Sequence, residues 1–261
     1  MTTLTKIIVT TLLSLLFFSC NFDINIGPGI AGNGHVVEVT RTINGSFNAI
    51  KASEGLDVYV TQSDNESVIV EADENLQDLI ITEVVDNVLK IHTKKNIGNA
   101  TSKKVMVSFK NVSRIASTSG SNVHSTNPIT VQNLVLESSS GSNMTLDVST
   151  TSLKCNTSSG SNMILQLNTE ILECHSSSGS NIKLTGEAIK ITADASSGSN
   201  IIAGDLIAES SRANASSGSN ITINTSKELI AKATSGGGIN YYGNPERVEK
   251  SDNPSGSIRK K

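Results

Sequence analysis

Apolar and polar residues alternate along the second half of the chain, and the alternation restarts at regular intervals. Each restart carries a Ser-Gly pair followed by Asn two residues on, at Gly120, Gly141, Gly160, Gly179, Gly198 and Gly218, with a degenerate copy at Gly236; the spacings are 21, 19, 19, 19, 20 and 18. A unit this short is one coil of a solenoid. Five residues before the glycine stand Ile115, Leu136, Cys155, Cys174, Ala193, Ala213 and Ala231, and seven before it Leu134, Leu153, Leu172, Ile191 and Leu229 in five of the coils. Three after it stand Val123, Met144, Met163, Ile182, Ile201, Ile221 and Ile239, and five after it Leu146, Leu165, Leu184, Ala203 and Ile223. A spacing of two is the strand period, so all four columns point inward. Four before the glycine the column reads Ala116, Glu137, Asn156, His175, Asp194, Asn214 and Lys232, a mostly wet face. Each coil is thus predicted as strand, Ser-Gly-Ser-Asn corner, strand and a looser polar corner. Stacking coils about 4.8 Å apart gives two or more parallel sheets around a narrow aliphatic core roughly 30 Å long. The fold class is all-β, a parallel β-helix.

The corner letters have a physical reading. Glycine permits a turn with positive φ, which serine tolerates less well and a β-branched residue hardly at all. Asn122, Asn143, Asn162, Asn181, Asn200 and Asn220 recur once per coil, so each amide can bond the one above and below, as in stacked-strand ladders. The flanking serines can satisfy corner backbone groups. The repeat therefore reads as architecture, not chemistry. The first half follows the same logic less regularly: ASEGLDVYV (52 to 60) aligns with ASSGSNITI (215 to 223), placing Gly55 on the corner glycine and Asp57 on the ladder asparagine. Strands are expected at 68 to 72, 88 to 93 and 104 to 109, with a short helical turn within 72 to 80.

Composition narrows the partners. Apolar residues make up 36% of the 261, with no Trp, five Phe and three Tyr, which favours thin β layers filled by aliphatic side chains. A formal charge of −3 points to neither a nucleic-acid partner nor an anionic membrane surface. Residues 7 to 18, IIVTTLLSLLFF, are almost wholly apolar behind Lys6, a run too short to span a bilayer comfortably and typical of a signal peptide. Cys20 follows at once and resembles the acylated cysteine of a bacterial lipoprotein, although Phe17 and Phe18 are bulkier than the usual residues there; ordinary cleavage of a secreted chain is the alternative. The expected layout is a signal peptide (1 to 19), a flexible tether after lipidated Cys20 (20 to 34), an irregular β part (35 to 110), regular coils (111 to 243) and a tail or cap (244 to 261).

The S-G-S/x-N corners, SEGLDVYV near the start and GGGINYYGNPERV at 236 to 248 resemble the head GIN domain family, adhesin-like proteins of Gram-negative gut and environmental bacteria. The resemblance covers about residues 38 to 260. It implies a right-handed β-helix similar to pectin lyase-like folds, a lipid-anchored or secreted envelope protein, and a role in adhesion. The family offers no catalytic residues to carry over. Its comparison with trimeric autotransporter heads raises a homo-oligomer, for which this chain shows neither a coiled-coil stalk nor a membrane barrel.

The cysteines, histidines and charged columns are the remaining candidates for chemistry. Cys155 and Cys174 lie one coil apart in one inward column, close enough for a disulfide, yet two thiols serving as small apolar fillers fit equally well. His35, His92, His124 and His175 show no convergence with the serines of the kind a nucleophile needs, and His175 beside Cys174 points outward, away from any metal set. The outward columns mix Arg114, Lys154, Glu173, Thr192 and Arg212 and form no carboxylate pair of the kind polysaccharide hydrolases use. Tyr241 and Tyr242 read as a cover for the open end of the core. The resulting expectation is a cofactor-free, non-catalytic envelope lipoprotein, a binding or structural module held to the membrane by its lipid and meeting glycans or host matrix proteins. A carbohydrate-active enzyme on the same scaffold is the competing class.

Overall fold

The computed structural model describes residues 28–252 and 255–261. The apolar run at 7 to 18 and Cys20 lie outside the described residues. The chain forms an all-β parallel solenoid of about eight turns with a coil spacing near 19 residues. The regular part is carried by long strands that each serve two coils: β11 (Asn143–Thr157), β12 (Asn162–Ser176), β13 (Asn181–Ala195), β14 (Asn200–Ala215) and β15 (Asn220–Ala233). Each runs from one Ser-Gly corner to the next and bends midway. The register between β11 and β12 is continuous from Asn143 opposite Asn162 to Thr150 opposite Thr169, and resumes with Ser152 opposite Ile171. The four inward columns fill the interior: Leu136, Cys155, Cys174, Ala193 and Ala213 in one of them are all fully buried, as are Val123, Ile182, Ile201 and Ile221 in another.

Spacings other than 19 have local causes. The extra residue of the 20-residue coil enters at a register shift between Lys183 and Thr185 where β13 meets β14, and shifts between Ala203 and Ile207 and between Ala208 and Ser210 where β14 meets β15 bring the next coil down to 18. Gly186 has φ 112° and a Cβ there would lie 2.0 Å from the Leu167 carbonyl oxygen, so no side chain fits.

The N-terminal part departs from chain order. Strands β2 (Ala49–Ala52) and β3 (Asp57–Gln62) form a coil whose corner, Glu54 and Gly55, has the same positive φ pair as the later ones. This coil is sandwiched. On one side β8 (Arg114–Ser117) and β9 (Asn122–Ser125) pair with it and lead into the regular stack through β10 (Ile129–Ser138). On the other, β6 (Val88–Thr93) and β7 (Lys103–Phe109) pair with it in parallel. The chain therefore leaves the first coil, builds a cap, and returns beneath it. The cap is antiparallel: β4 (Ser67–Asp73) lies on β7, β1 (Val36–Arg41) on β4, and β5 (Ile80–Val85) on β6. A 3-10 turn at Glu74–Leu76 buries Leu76. At the far end β17 (Arg247–Asp252) and β18 (Ser257–Lys260) add a further coil. There Lys250 stands in the inward column opposite Ala231, its ammonium 4.8 Å from the centre of the Tyr241 ring. A charge at an inward position of a terminal strand discourages another chain from pairing there.

Two expectations need correction. Residues 28 to 34 do not hang free as part of a tether: Ile30 bridges Ile97, and the Gly32 N–H donates to the Asn99 carbonyl at 2.8 Å. The glycines here serve close approach, since a Cβ on Gly29 would lie 2.5 Å from the Gly98 nitrogen. The disulfide alternative also falls, because Cys155 and Cys174 are both free and buried. They face each other in register on parallel strands, where side chains project side by side about 4.8 Å apart, wider than the Cβ separation of roughly 3.8 Å that a disulfide favours. The hydrogen bond that the Cys174 S–H makes to Cys155, and then burial, push the Cys174 thiol well above the ordinary range, so it stays protonated.

Asp73 ties the cap together. Fully buried, it accepts backbone N–H groups from Ser102 at 3.0 Å, Gly34 at 2.5 Å and Thr101 at 2.8 Å. The Ser102 donor first, with Gly34 and Thr101, holds its carboxyl below the usual range against the opposing effect of burial. Its stabilising contribution is complete above the unfolded value of about 3.9 and is lost as pH falls through the lower folded value. The melting temperature of the wild type should thus fall below about pH 4, and Asp73→Asn should lower it at neutral pH while flattening that acid limb. An acid limb unchanged in the variant, measured by circular dichroism, would contradict this role.

Candidate functional site

The site begins at the corners. In each, two consecutive residues have positive φ: Ser119 and Gly120 at 51° and 72°, Ser159 and Gly160 at 53° and 71°, Ser217 and Gly218 at 52° and 72°. The turn closes with an i to i+3 bond, as from the Ser161 N–H to the Ser158 carbonyl at 3.2 Å. Two positive φ values in succession define a type I′ turn. The serine before each glycine shares its left-handed conformation.

The serine after the glycine is fully buried in Ser121, Ser142, Ser161, Ser180, Ser199 and Ser219. Its hydroxyl closes the corner and joins the coils. Ser161 Oγ accepts the Ser158 N–H at 3.3 Å and donates to the Ser138 carbonyl of the previous coil at 2.7 Å. Ser142, Ser199 and Ser219 donate likewise to Ser117, Ser176 and Ala195, at 2.8, 2.6 and 2.7 Å.

Beyond it runs a row of amides. Asn143 Nδ2 donates to Asn122 Oδ1 at 2.9 Å, Asn162 to Asn143 at 3.1 Å, Asn181 to Asn162 at 2.9 Å, Asn200 to Asn181 at 2.8 Å and Asn220 to Asn200 at 3.3 Å. Asn122 in turn donates to Asp57 Oδ1 at 2.7 Å. An ionised carboxylate only accepts, so Asp57 sets the direction of the whole row.

On the other face of the same corner lies a groove of about 560 Å³ that runs along the stack. One wall is the column four residues before each glycine, Glu137, Asn156, His175, Asp194 and Asn214, and the other is the serine two before it, at Ser139, Ser158, Ser177, Ser196 and Ser216. The groove forms where the strand's last outward residue meets the start of the turn. Asp194 is held from both sides, by His175 Nδ1 at 3.2 Å and by Asn214 Nδ2 at 2.6 Å. Arg114 Nε donates to Glu137 Oε2 at 3.0 Å near the groove's first coil.

The structure sorts the sequence candidates plainly. The corner glycines and ladder asparagines stand in two aligned rows, while Cys155 and Cys174 lie inside the core, away from the groove. His35 and His92 pair with Glu74 and Glu83, at 3.3 and 3.2 Å, and His124 stacks on Tyr59 at 5.5 Å between ring centres. Tyr241 is buried beneath the terminal coil while Tyr242 is exposed. Sequence reasoning treated every serine as corner architecture and so missed the groove-facing row. The available signal was a second serine column at the strand exit. Among the described residues no three His, Cys, Asp or Glu side chains converge for a metal ion, and no helix is long and apolar enough to cross a membrane.

Comparison with known proteins places this geometry. The family model described as "Putative auto-transporter adhesin, head GIN domain" matches residues 46–245. A crystal structure of a putative lipid binding protein from Parabacteroides distasonis superposes with a TM-score of 0.83 at 26% identity, covering 89% of this chain and 99% of that one. A putative adhesin from Parabacteroides merdae gives 0.82 at 23% identity over the same shares. One from Bacteroides fragilis gives 0.68 at 24% identity over 89% and 100%, and these last two likenesses speak to the fold alone. No curated protein matches the chain.

If the amide row stabilises the stack, Asn162→Ala with Asn181→Ala should lower the melting temperature by on the order of 5 °C, two interior ladder partners being lost. A melting curve superimposable on the wild type would show that the row contributes nothing.

Proposed function

The chain belongs to the head GIN domain family, and on that premise we propose that it is a non-catalytic binding module of the cell envelope, an adhesin anchored through Cys20. The observation that carries this reading is the groove: a continuous polar trough whose two walls present the same residue positions on successive coils. Weak contacts repeated along a rigid axis add through multivalency, because the first contact presents the next at high effective concentration. The anchor is supported by the sequence, where Ser19 and Cys20 follow the apolar run at 7 to 18.

The competing hydrolase reading finds little support in the groove. Glu137 and Asp194 occupy the same column three coil steps apart, roughly 14 Å at about 4.8 Å per step. Glycosidase carboxylates stand about 5 to 9.5 Å apart. His175 and Asp194 are both open to water, with side chains 44% and 36% exposed, so no low-dielectric pocket encloses them.

A second reading, contact with lipid, has its own observation. Half a coil away from the corners, Ile171, Ile189 and Ile207 are 46%, 51% and 56% exposed on three successive coils. A similar structure carries the description of a lipid binding protein. Flotation with neutral phosphatidylcholine vesicles separates the readings, for an adhesin without lipid contact leaves Cys20→Ser protein in the dense fraction. Flotation of that protein, abolished by Ile189→Glu, would favour lipid instead.

For the adhesin reading, protease added to intact cells should remove the domain, and Cys20→Ser should release it from the membrane fraction. Cells displaying the chain should attach to epithelial cells more than cells lacking it. A membrane-bound domain protected from external protease, with attachment unchanged, would overturn the reading.

A further inference from the structure

The lining of the groove narrows what it can hold, and the argument rests on the binding role proposed above. Its serines do different work from the buried ones. Among the described residues, the hydroxyls of Ser158, Ser177, Ser196 and Ser216 and the amide of Asn156 have no hydrogen-bond partner within the protein, and His175 bonds only through Nδ1, leaving Nε2 open. Across four coils, one wall offers a free hydroxyl at each step and the other a carboxamide, an imidazole or a carboxylate. Backbone needs are met elsewhere, since the N–H of each of those serines is already bonded to the previous coil and to a buried serine oxygen. The side chains are thus spare hydrogen-bonding capacity, aligned by the register of the stack.

Charge and shape then select a class. Of the fourteen lining residues none is Lys or Arg, while Glu137 and Asp194 are acidic. A phosphate, sulfate or uronate chain would meet Asp194 with no lining cation to offset it, since the nearby Arg114 is already paired with Glu137. An extended peptide binds best by adding to an open sheet edge, but the strands beneath the groove are paired on both sides, β12 with β11 and β13, and β13 with β12 and β14. Neither Phe, Trp nor Tyr lines the groove, so a ligand must be held by hydrogen bonds repeated along its length. We propose that the groove binds a neutral, hydroxyl-rich polymer, a glycan chain lying along the stack axis, with Asn156, His175, Asp194 and the facing serines as its contacts.

Affinity gel electrophoresis of the purified protein tests this, using xyloglucan, mannan and soluble starch as neutral polymers and alginate and hyaluronan as anionic ones. The expected result is retardation by a neutral polymer and by neither anionic one, with affinity rising with oligosaccharide length. Asn156→Ala combined with Ser177→Ala should weaken binding about tenfold at an unchanged melting temperature, whereas His124→Ala on the opposite sheet should bind as wild type. No retardation by any neutral polymer, retardation by anionic polymers alone, or equal binding by the groove variant would each overturn the proposal. Beads coated with the protein and presented to epithelial cells separate the two levels. Attachment that depends on the groove without neutral-polymer binding removes the glycan class and leaves the adhesin reading, whereas absence of attachment as well removes both.

Discussion

The buried serine hydroxyl at each corner is the interaction on which the rest of the solenoid depends. A type I′ turn built on Ser and Gly reverses the chain sharply, but it turns polar backbone groups toward the core. One hydroxyl satisfies an N–H within its own turn and a carbonyl of the coil before it, as Ser161 does with Ser158 and Ser138. The contact is local and intercoil at once. Leaving such a buried acceptor unpaired costs about 1–3 kcal/mol. The bond also fixes where one coil sits on the next, and a slip of one residue would turn every inward side chain outward.

Once the corners are in register, two surface rows follow without further specification. On one face of the turn the asparagines fall into a ladder whose direction Asp57 sets, and on the other the strand exit and the turn enclose a groove with identical positions on every step. The groove is a by-product of the architecture, and among the described residues the hydroxyls of Ser158, Ser177, Ser196 and Ser216 along it keep no internal partner. This is how a repeat whose letters are structural can still carry function. The glycine and the buried serine hold the coil, and the neighbouring positions are available to vary as Glu137, Asn156, His175, Asp194 and Asn214 do.

The regular half was legible because its signal is redundant. Four columns alternating with period two and recurring every 19 residues leave little choice of register, and Leu146, Leu165 and Leu184 could face only one way. The cap was harder. That the coil of Ala49–Ala52 and Asp57–Gln62 lies between two later pairs of strands depends on long-range pairing, which local periodicity does not encode. Gly29 and Gly32 read as tether because glycine signals both freedom and close approach, and only the neighbouring Gly98 and Asp73 decide between them. Serine posed the same difficulty at the site. The letter is identical at Ser158, Ser159 and Ser161, yet one faces the groove, one takes the left-handed turn and one is buried, a distinction set by the turn's geometry.

The most direct test of the central claim is hydrogen exchange, followed amide by amide, in Ser161→Ala. If the buried hydroxyl locks coil to coil, protection should fall at the Ser158 and Ser161 corner amides and spread to neighbouring corners at Ser139 and Ser177, while strand interiors such as Leu165 and Leu184 keep theirs. Exchange at the corners equal to that of the wild type would mean that the stack is held by its core and strand ladders alone, and the account built on the corner serine would be wrong.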